Sequence, residues 1–299
     1  MEVARFSEGR LPEEIARGPS GDAAAALVNA FHRIDELLLE EECGEVLRKF
    51  SSGRGGEGPP PGPVNPDWVG CTCVVCLVRA KELIVANAGD SRCVLSRGRR
   101  AVPLSEDHKP NLPTEEERIN RAGGIVERRQ IGPVVQYRVN GNLNLSRSLG
   151  DLEYKKNPTL GPAEQMICAT PEIQTFPREA EDEFLLVACD GVWDVLTNQE
   201  AVDFVHERLP QALRNGLPLS GIMEAMMDRC ISPDLTLTNG LGGDNMTAML
   251  VVLNAAAIAD STALEPAGGI EVTSSALAAV EERGILPDGL CSCQPDMPK

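Results

Sequence analysis

The sequence predicts an α+β protein built on an antiparallel β-sandwich, and three observations point there. Strands and helices are grouped along the chain rather than strictly alternating, which argues against a doubly wound parallel sheet. The strand candidates are short apolar or β-branched runs separated by tight polar or glycine turns. Aromatic residues make up only 3% of the 299 residues, so the core must be filled by Val, Leu, Ile, Met and Ala.

Element by element, residues 22–50 read as one long helix, with Leu27, Phe31, Ile34 and Leu38 at helical spacing and Asp35, Glu36 and Glu40 to Glu42 beside them. A Gly/Pro-rich insert at 51–66, densest in its first part, interrupts the pattern, because glycine and proline at that density cannot pack. Short strands follow at 72–78, 83–87, 92–95 and 101–104. They are joined by Arg79-Ala80-Lys81-Glu82, Gly89-Asp90 and Arg97-Gly98, and together they read as an antiparallel meander. A helix is expected from Thr114, with Glu117 completing a capping box, and it should stop at Gly123-Gly124. Strands at 184–188 and 246–253 and helices at 199–209 and 220–230 complete a domain over 1–253. The alanine-, serine- and glycine-rich stretch 254–299, with one weak helix at 275–283, is expected to be a mobile appendage.

Composition narrows the function. A net charge of −17 argues against nucleic-acid binding, and any enzyme of this charge handling phosphate must neutralise its substrate locally, as carboxylate-held divalent cations would. No apolar run approaches the roughly 20 residues of a membrane span, and neither a signal peptide nor a prenylation signal is visible, so a cytoplasmic or nuclear protein is expected. The ten cysteines are scattered rather than arranged as a disulfide framework. Cys71, Cys73 and Cys76 could suggest zinc, but no second Cys/His pair stands near them, and buried strand cysteines are the better reading.

The chemistry concentrates at strand ends. The apolar run 184–188 leads into Cys189-Asp190-Gly191-Val192-Trp193-Asp194. Gly243-Asp244-Asn245 precedes the run from Met246, and Gly89-Asp90-Ser91 lies between two strands. A glycine beside Asp90, Asp190 and Asp244 lets backbone approach closely, and Asp190 and Asp194 share a face if their turn is helical. Carboxylates without His or Cys partners select Mg²⁺ or Mn²⁺ over zinc. The alternative, a turn or capping role for each aspartate, stands equally at this level.

The successive segments Asn87-Ala88-Gly89-Asp90-Ser91-Arg92, Asp107-His108-Lys109-Pro110, Glu117-Arg118-Ile119, Ala122-Gly123-Gly124, Arg138-Val139-Asn140-Gly141, Leu145-Ser146-Arg147-Ser148-Leu149-Gly150-Asp151, Ala188-Cys189-Asp190-Gly191-Val192-Trp193-Asp194 and Gly243-Asp244-Asn245-Met246-Thr247 resemble, in order, the motifs of the metal-dependent 2C-type (PPM) serine/threonine protein phosphatases. The resemblance spans residues 70–253, with 2–50 resembling two preceding helices; the glycine-rich insert and Glu164-Gln165-Met166-Ile167 are closest to the gamma-type branch.

The resemblance implies two antiparallel sheets flanked by helices, phosphoprotein substrates, and a protein that is monomeric when complete. It also implies two Mn²⁺ or Mg²⁺ ions and a weaker third. Asp190 and Asp244 match ligands of the pair, and Asp90, Asp190 and Asp194 match the third site. Arg138 matches a basic residue near the substrate groove. Phosphoserine and phosphothreonine would be hydrolysed by metal-activated water without a phosphoenzyme. The family's Asp-Gly-His-Gly-Gly segment and phosphate-gripping arginine are expected ahead of Met1. The sandwich is therefore expected to be N-terminally incomplete, and the chain alone to have little activity. A pseudophosphatase that binds phosphoproteins without hydrolysing them is the competing reading. No histidine precedes a cysteine, which excludes the Cys-based loop of tyrosine phosphatases.

Overall fold

The computed structural model describes residues 1–40, 42–51, 62–131 and 134–261. Two antiparallel sheets face each other. One has the order β2-β3-β9, from β2 (Cys73–Val78), β3 (Glu82–Ala88) and β9 (Glu172–Pro177); the other has the order β11-β10-β4-β5, from β4 (Arg92–Arg97), β5 (Arg100–Pro103), β10 (Asp182–Ala188) and β11 (Ala248–Val252). Period-two alternation sorts each strand's side chains into two cores. Leu83 and Val85 of β3, Cys93 and Leu95 of β4, and Leu185 of β10 meet between the sheets. Their neighbours Ile84, Ala86, Val94, Phe184 and Leu186 face outward under helices.

The helices supply the two outer layers. The α1 (Glu2–Arg17), α2 (Ala23–Leu38) and α3 (Cys43–Arg48) helices pack Leu27, Phe31 and Ile34 onto the outer side of the three-stranded sheet. After α4 (Pro113–Arg121) and the short α5 (Asp190–Trp193) come α6 (Asn198–Asn215) and α7 (Ser220–Cys230). These two bring Phe204, Leu209, Met223 and Met226 against the four-stranded sheet. Two short strands, β1 (Gly70–Cys71) and β8 (Leu149–Gly150), pair with each other, and β6 (Val126–Ile131) with β7 (Val134–Val139) forms a separate ribbon. The α+β sandwich flanked by helices is the expected architecture.

Several local expectations are corrected. The chain over 72–104 is not one meander. β2 pairs with β3 and β4 with β5, but β3 and β4 lie in different sheets, so the chain crosses the sandwich at Gly89-Asp90. The helix of residues 22–50 ends at Leu38, with a separate turn from Cys43. Glu40 stands just past the C-cap Leu39, where the helix dipole disfavours negative charge. Thr114 caps nothing: α4 starts one residue earlier with Pro113 in its first turn, and its N-terminal residue Leu112 makes no side-chain cap. That proline supplies the start signal instead.

The β6–β7 ribbon and β9 escape sequence patterning because residues such as Arg128, Arg129 and Gln130 offer no apolar run. Past residue 253, α8 (Ala255–Ser261) still belongs to the compact body, with Ile258 buried against the α6–α7 core. Residues 52–61 of the Gly/Pro-rich insert and the weak helix at 275–283 lie outside the described residues.

Candidate metal centre

Register brings the aspartates to one rim. Ala188, the last residue of β10, pairs with Ala248, the first of β11, on one side and with Arg92, the first of β4, on the other. Asp190 leaves β10 there, Asp244 leads into β11 and Asp90 leads into β4, so all three segments meet at the same end of adjacent strands.

Backbone contacts fix the junctions. The Cys189 N–H donates to the Thr247 carbonyl at 3.1 Å, and the Thr247 N–H reaches the Cys189 sulfur at 3.2 Å. Gly191 allows this approach, since a Cβ there would stand 2.4 Å from the Asn245 carbonyl oxygen. The turn is helical: the Asp194 N–H donates to the Asp190 carbonyl at 2.8 Å, which sets Asp190 and Asp194 one turn apart.

The Asp90 turn is held from several directions. Gly89 has φ +123°, and an added Cβ would lie 2.4 Å from the Thr72 methyl carbon. The Asn87 amide donates to the Gly89 and Glu106 carbonyls at 3.2 and 2.8 Å. The His108 N–H donates to the Gly89 carbonyl at 2.9 Å, while the Gly89 N–H donates to His108 Nδ1 at 3.2 Å. Nδ1 lies equally close, 3.2 Å, to the Gly89 carbonyl oxygen, and Nε2 stands 3.4 Å from Glu172 Oε2. Burial, helped by Arg147, lowers the His108 pKa, in keeping with a neutral ring. Asp90 itself is 2% exposed and accepts from Lys109 Nζ at 2.6 Å. Burial disfavours that ammonium, yet the Asp90 carboxylate raises the Lys109 pKa overall.

Among the rim aspartates, Asp190 carries the strongest electrostatic signature. Burial first, and then Asp90, Asp244 and Asp194, push its carboxyl up to about 6. Asp194 is likewise raised, by burial first, with Lys109 opposing. Mutual repulsion among hard oxygen donors is what a divalent cation would relieve, and the absence of thiolate or imidazole from this set suits Mg²⁺ or Mn²⁺. In donor chemistry and charge the residues fit such an ion. Among the described residues, however, no three His, Cys, Asp or Glu side chains are grouped closely enough to enclose one.

Arg138 lies elsewhere, on the β6–β7 ribbon opposite Glu127. Its guanidinium donates to Gln136 Oε1 at 3.0 and 3.3 Å and to the Asn142 carbonyl, and none of these partners is an aspartate of the rim. Cys73 and Cys76 face opposite sides of β2, Cys73 toward the helices and Cys76 into the inter-sheet core, so they do not share a site.

Sequence reading passed over Lys109 and the groups behind it. Arg92 forks onto Asp107 at 2.6 and 3.0 Å. Glu115, 1% exposed, receives Arg147 Nη2 at 2.6 Å, Arg118 Nη1 at 2.8 Å and Ser146 Oγ at 2.6 Å. The Ser146 N–H in turn donates to the His108 carbonyl at 3.2 Å, joining this buried network to the Asp90 turn. The signal available was an acidic residue beside a Lys or Arg in each motif, but such pairs are usually solvated surface charge.

The sequence profile described as Protein phosphatase 2C matches residues 2–236. "Probable protein phosphatase 2C 21" of Arabidopsis thaliana is 38% identical over 278 residues, covering 83% of this chain and 74% of its own length. "Protein phosphatase 1G" of Homo sapiens, a gamma-type member, is 47% identical over 184 residues, which are 61% of this chain and 32% of that protein. Among solved structures, serine-threonine phosphatase 2C from Toxoplasma gondii superposes with a TM-score of 0.61 at 19% identity, over 84% of this chain and 80% of that one, a likeness of fold. The shared motifs, the sandwich and these matches agree, and the chain belongs to the protein phosphatase 2C family.

Proposed function

We propose that the rim formed by Asp90, Asp190, Asp194 and Asp244 is the metal-binding part of a serine/threonine phosphatase site acting on phosphoproteins. The observation that carries this is the register of β4, β10 and β11, which brings the segments of Asp90, Asp190 and Asp244 to one end of adjacent strands. The crowding raises the Asp190 carboxyl to about 6, burial first and the other three aspartates after it. Asp190 and Asp244 would hold a Mn²⁺ or Mg²⁺ pair, with Asp90, Asp190 and Asp194 around a weaker third ion. Bound divalent cations lower the pKa of water and offset the charge on phosphoryl oxygens.

The chain's own residues orient and balance this centre. Gly89 and His108 fix the direction of Asp90, Lys109 neutralises it, and Gly191 lets the Asp190 turn sit against the segment of Asp244. Arg138, on its separate ribbon, is assigned to the substrate side, so Arg138→Ala should raise KM for phosphopeptides more than it lowers kcat.

The test is hydrolysis of a phosphothreonine peptide with Mn²⁺. Turnover that is abolished by EDTA, and lowered by orders of magnitude in Asp190→Asn and Asp244→Asn, supports the reading. Metal-independent turnover, or undiminished turnover in Asp190→Asn, overturns it. A second reading, phosphoprotein binding without hydrolysis, is favoured by the Lys109–Asp90 pair and by the lack of an enclosed three-ligand group among the described residues. It predicts phosphopeptide affinity that needs no Mn²⁺ and no turnover under any metal.

A further inference from the structure

The loop after β5 brings a cation to the aspartate rim, and the backbone fixes where it arrives. The His108 N–H donates to the Gly89 carbonyl at 2.9 Å, so the next residue of each segment, Lys109 and Asp90, stand side by side. Ser146 grips the His108 carbonyl from behind, through its N–H at 3.2 Å and its Oγ at 3.0 Å. Lys109 Nζ lies 2.6 Å from Asp90 Oδ2, in a pair whose lysine side chain is 35% exposed and whose carboxylate side chain is 2% exposed. Arg92, a second cation beside the rim, is committed elsewhere: its guanidinium forks onto Asp107 and reaches Asn198 Oδ1 at 3.1 Å. Among the described residues, Asp90 is the one hydrogen-bond partner of the Lys109 ammonium.

We propose that Lys109 is a built-in competitor of the third, weaker cation: its ammonium neutralises Asp90, and a divalent ion binds among Asp90, Asp190 and Asp194 only by taking that carboxylate from it. This rests on reading the rim as a metal centre.

The physical reason is charge. An ammonium hydrogen-bonded to Asp90 already balances it, so an incoming cation gains less from that carboxylate than from an unpaired one. Once bound, the ion and the ammonium repel each other in a site where burial limits screening by salt and water. Lys109 also opposes the rise that burial and like charges impose on Asp190 and Asp194, so its field reaches all three carboxylates. The lysine thus weakens the hold on the ion, and it spares the fold an unpaired buried Asp90 when the ion leaves. A salt bridge that merely positioned Asp90 would act in the opposite sense, because its loss would misdirect the carboxylate and weaken metal binding.

The experiment titrates Mn²⁺ into the whole chain by calorimetry. Lys109→Gln removes the charge and keeps an N–H donor, while Lys109→Arg keeps the charge. Lys109→Gln should bind Mn²⁺ roughly tenfold more tightly than the parent, and Lys109→Arg should match the parent. Adding Asp90→Asn to Lys109→Gln should erase the gain. A second measurement needs no variant, and it decides if Lys109→Gln does not fold. The tryptic peptide of residues 101–118 has Lys109 as its single lysine. Saturating Mn²⁺ should speed acetylation of that lysine by an N-hydroxysuccinimide ester several-fold, because the amine loses its carboxylate partner. Equal or weaker Mn²⁺ binding in Lys109→Gln, or acetylation of Lys109 that bound Mn²⁺ leaves unchanged, would overturn the proposal and leave the metal centre standing. No Mn²⁺ binding in either parent or variant would overturn both.

Discussion

Asp190 is half-buried and Glu115 buried, and their neighbours send the two carboxylates in opposite directions. Burial raises both. At Asp190 three further aspartates add to the rise, to about 6; at Glu115, Arg147, Arg118 and Ser146 overcome burial and bring the pKa down to about 2. Asp190 therefore binds its proton more tightly folded than unfolded, where the reference is 3.8. Its ionisation costs stability as pH rises through about 6, and the cost is absent below about 4. Metal-free Asp190→Asn should be more stable than the parent at pH 7.5 by about 1–2 kcal/mol, after discounting the shift for solvent screening. The gain should vanish near pH 4, as urea unfolding at the two pH values would measure. Glu115 contributes in the other sense: its stabilisation is present above the unfolded value of 4.5 and fades as pH falls toward about 2. Glu115→Ala leaves the buried Arg118 and the half-buried Arg147 without their counter-charge and should cost about 3 kcal/mol. Equal urea midpoints for parent and variant at pH 7 would contradict that.

Two elements show how local chemistry supports the rim. The crossing between β3 and β4 depends on Gly89, whose φ of +123° and closeness to Thr72 leave no space for a side chain. Gly89→Ala should cost roughly 2 kcal/mol, and it should weaken Mn²⁺ binding in calorimetry because Asp90 is re-aimed. Helix α6 begins at a capping box: the Glu200 N–H donates to Thr197 Oγ1 at 3.2 Å, and the Thr197 N–H donates to Glu200 Oε2 at 2.8 Å. Thr197→Ala should lower stability by about 1 kcal/mol, seen as a shifted urea midpoint with an unchanged slope. The contrast with α4 is instructive. Both segments place Thr three residues before Glu, yet only α6 uses the pair, because Pro113 has already started α4 when Thr114 arrives.

Across the whole molecule, the four-stranded sheet is covered by α6 and α7, while β2 has β3 as its one strand neighbour among the described residues. Its sequence, Cys73-Val74-Val75-Cys76-Leu77-Val78, is apolar throughout, and Val78 is exposed. An apolar edge of this kind invites pairing with another chain. In concentrated solution the scattering mass should exceed the 32.1 kDa of one chain, and Val78→Lys should lower it. A single-chain mass for the parent at every concentration would remove the edge as an association site. No helix among the described residues is long and apolar enough to cross a membrane.

The sequence by itself determined the kind of chemistry and the kind of layers. Glycine beside aspartate at the ends of apolar runs marks Asp90, Asp190 and Asp244 without any coordinates, and helical spacing in Leu27, Phe31 and Ile34 marks a face that must be covered. These signals are local, since periodicity records which side of an element is dry. Tertiary structure alone decided what lies on the dry side. It placed β3 and β4 in different sheets, put Lys109 on Asp90 and buried Glu115 under two arginines. Those pairings join residues distant in sequence. They arise because packing selects one arrangement among the many that the same local patterns permit.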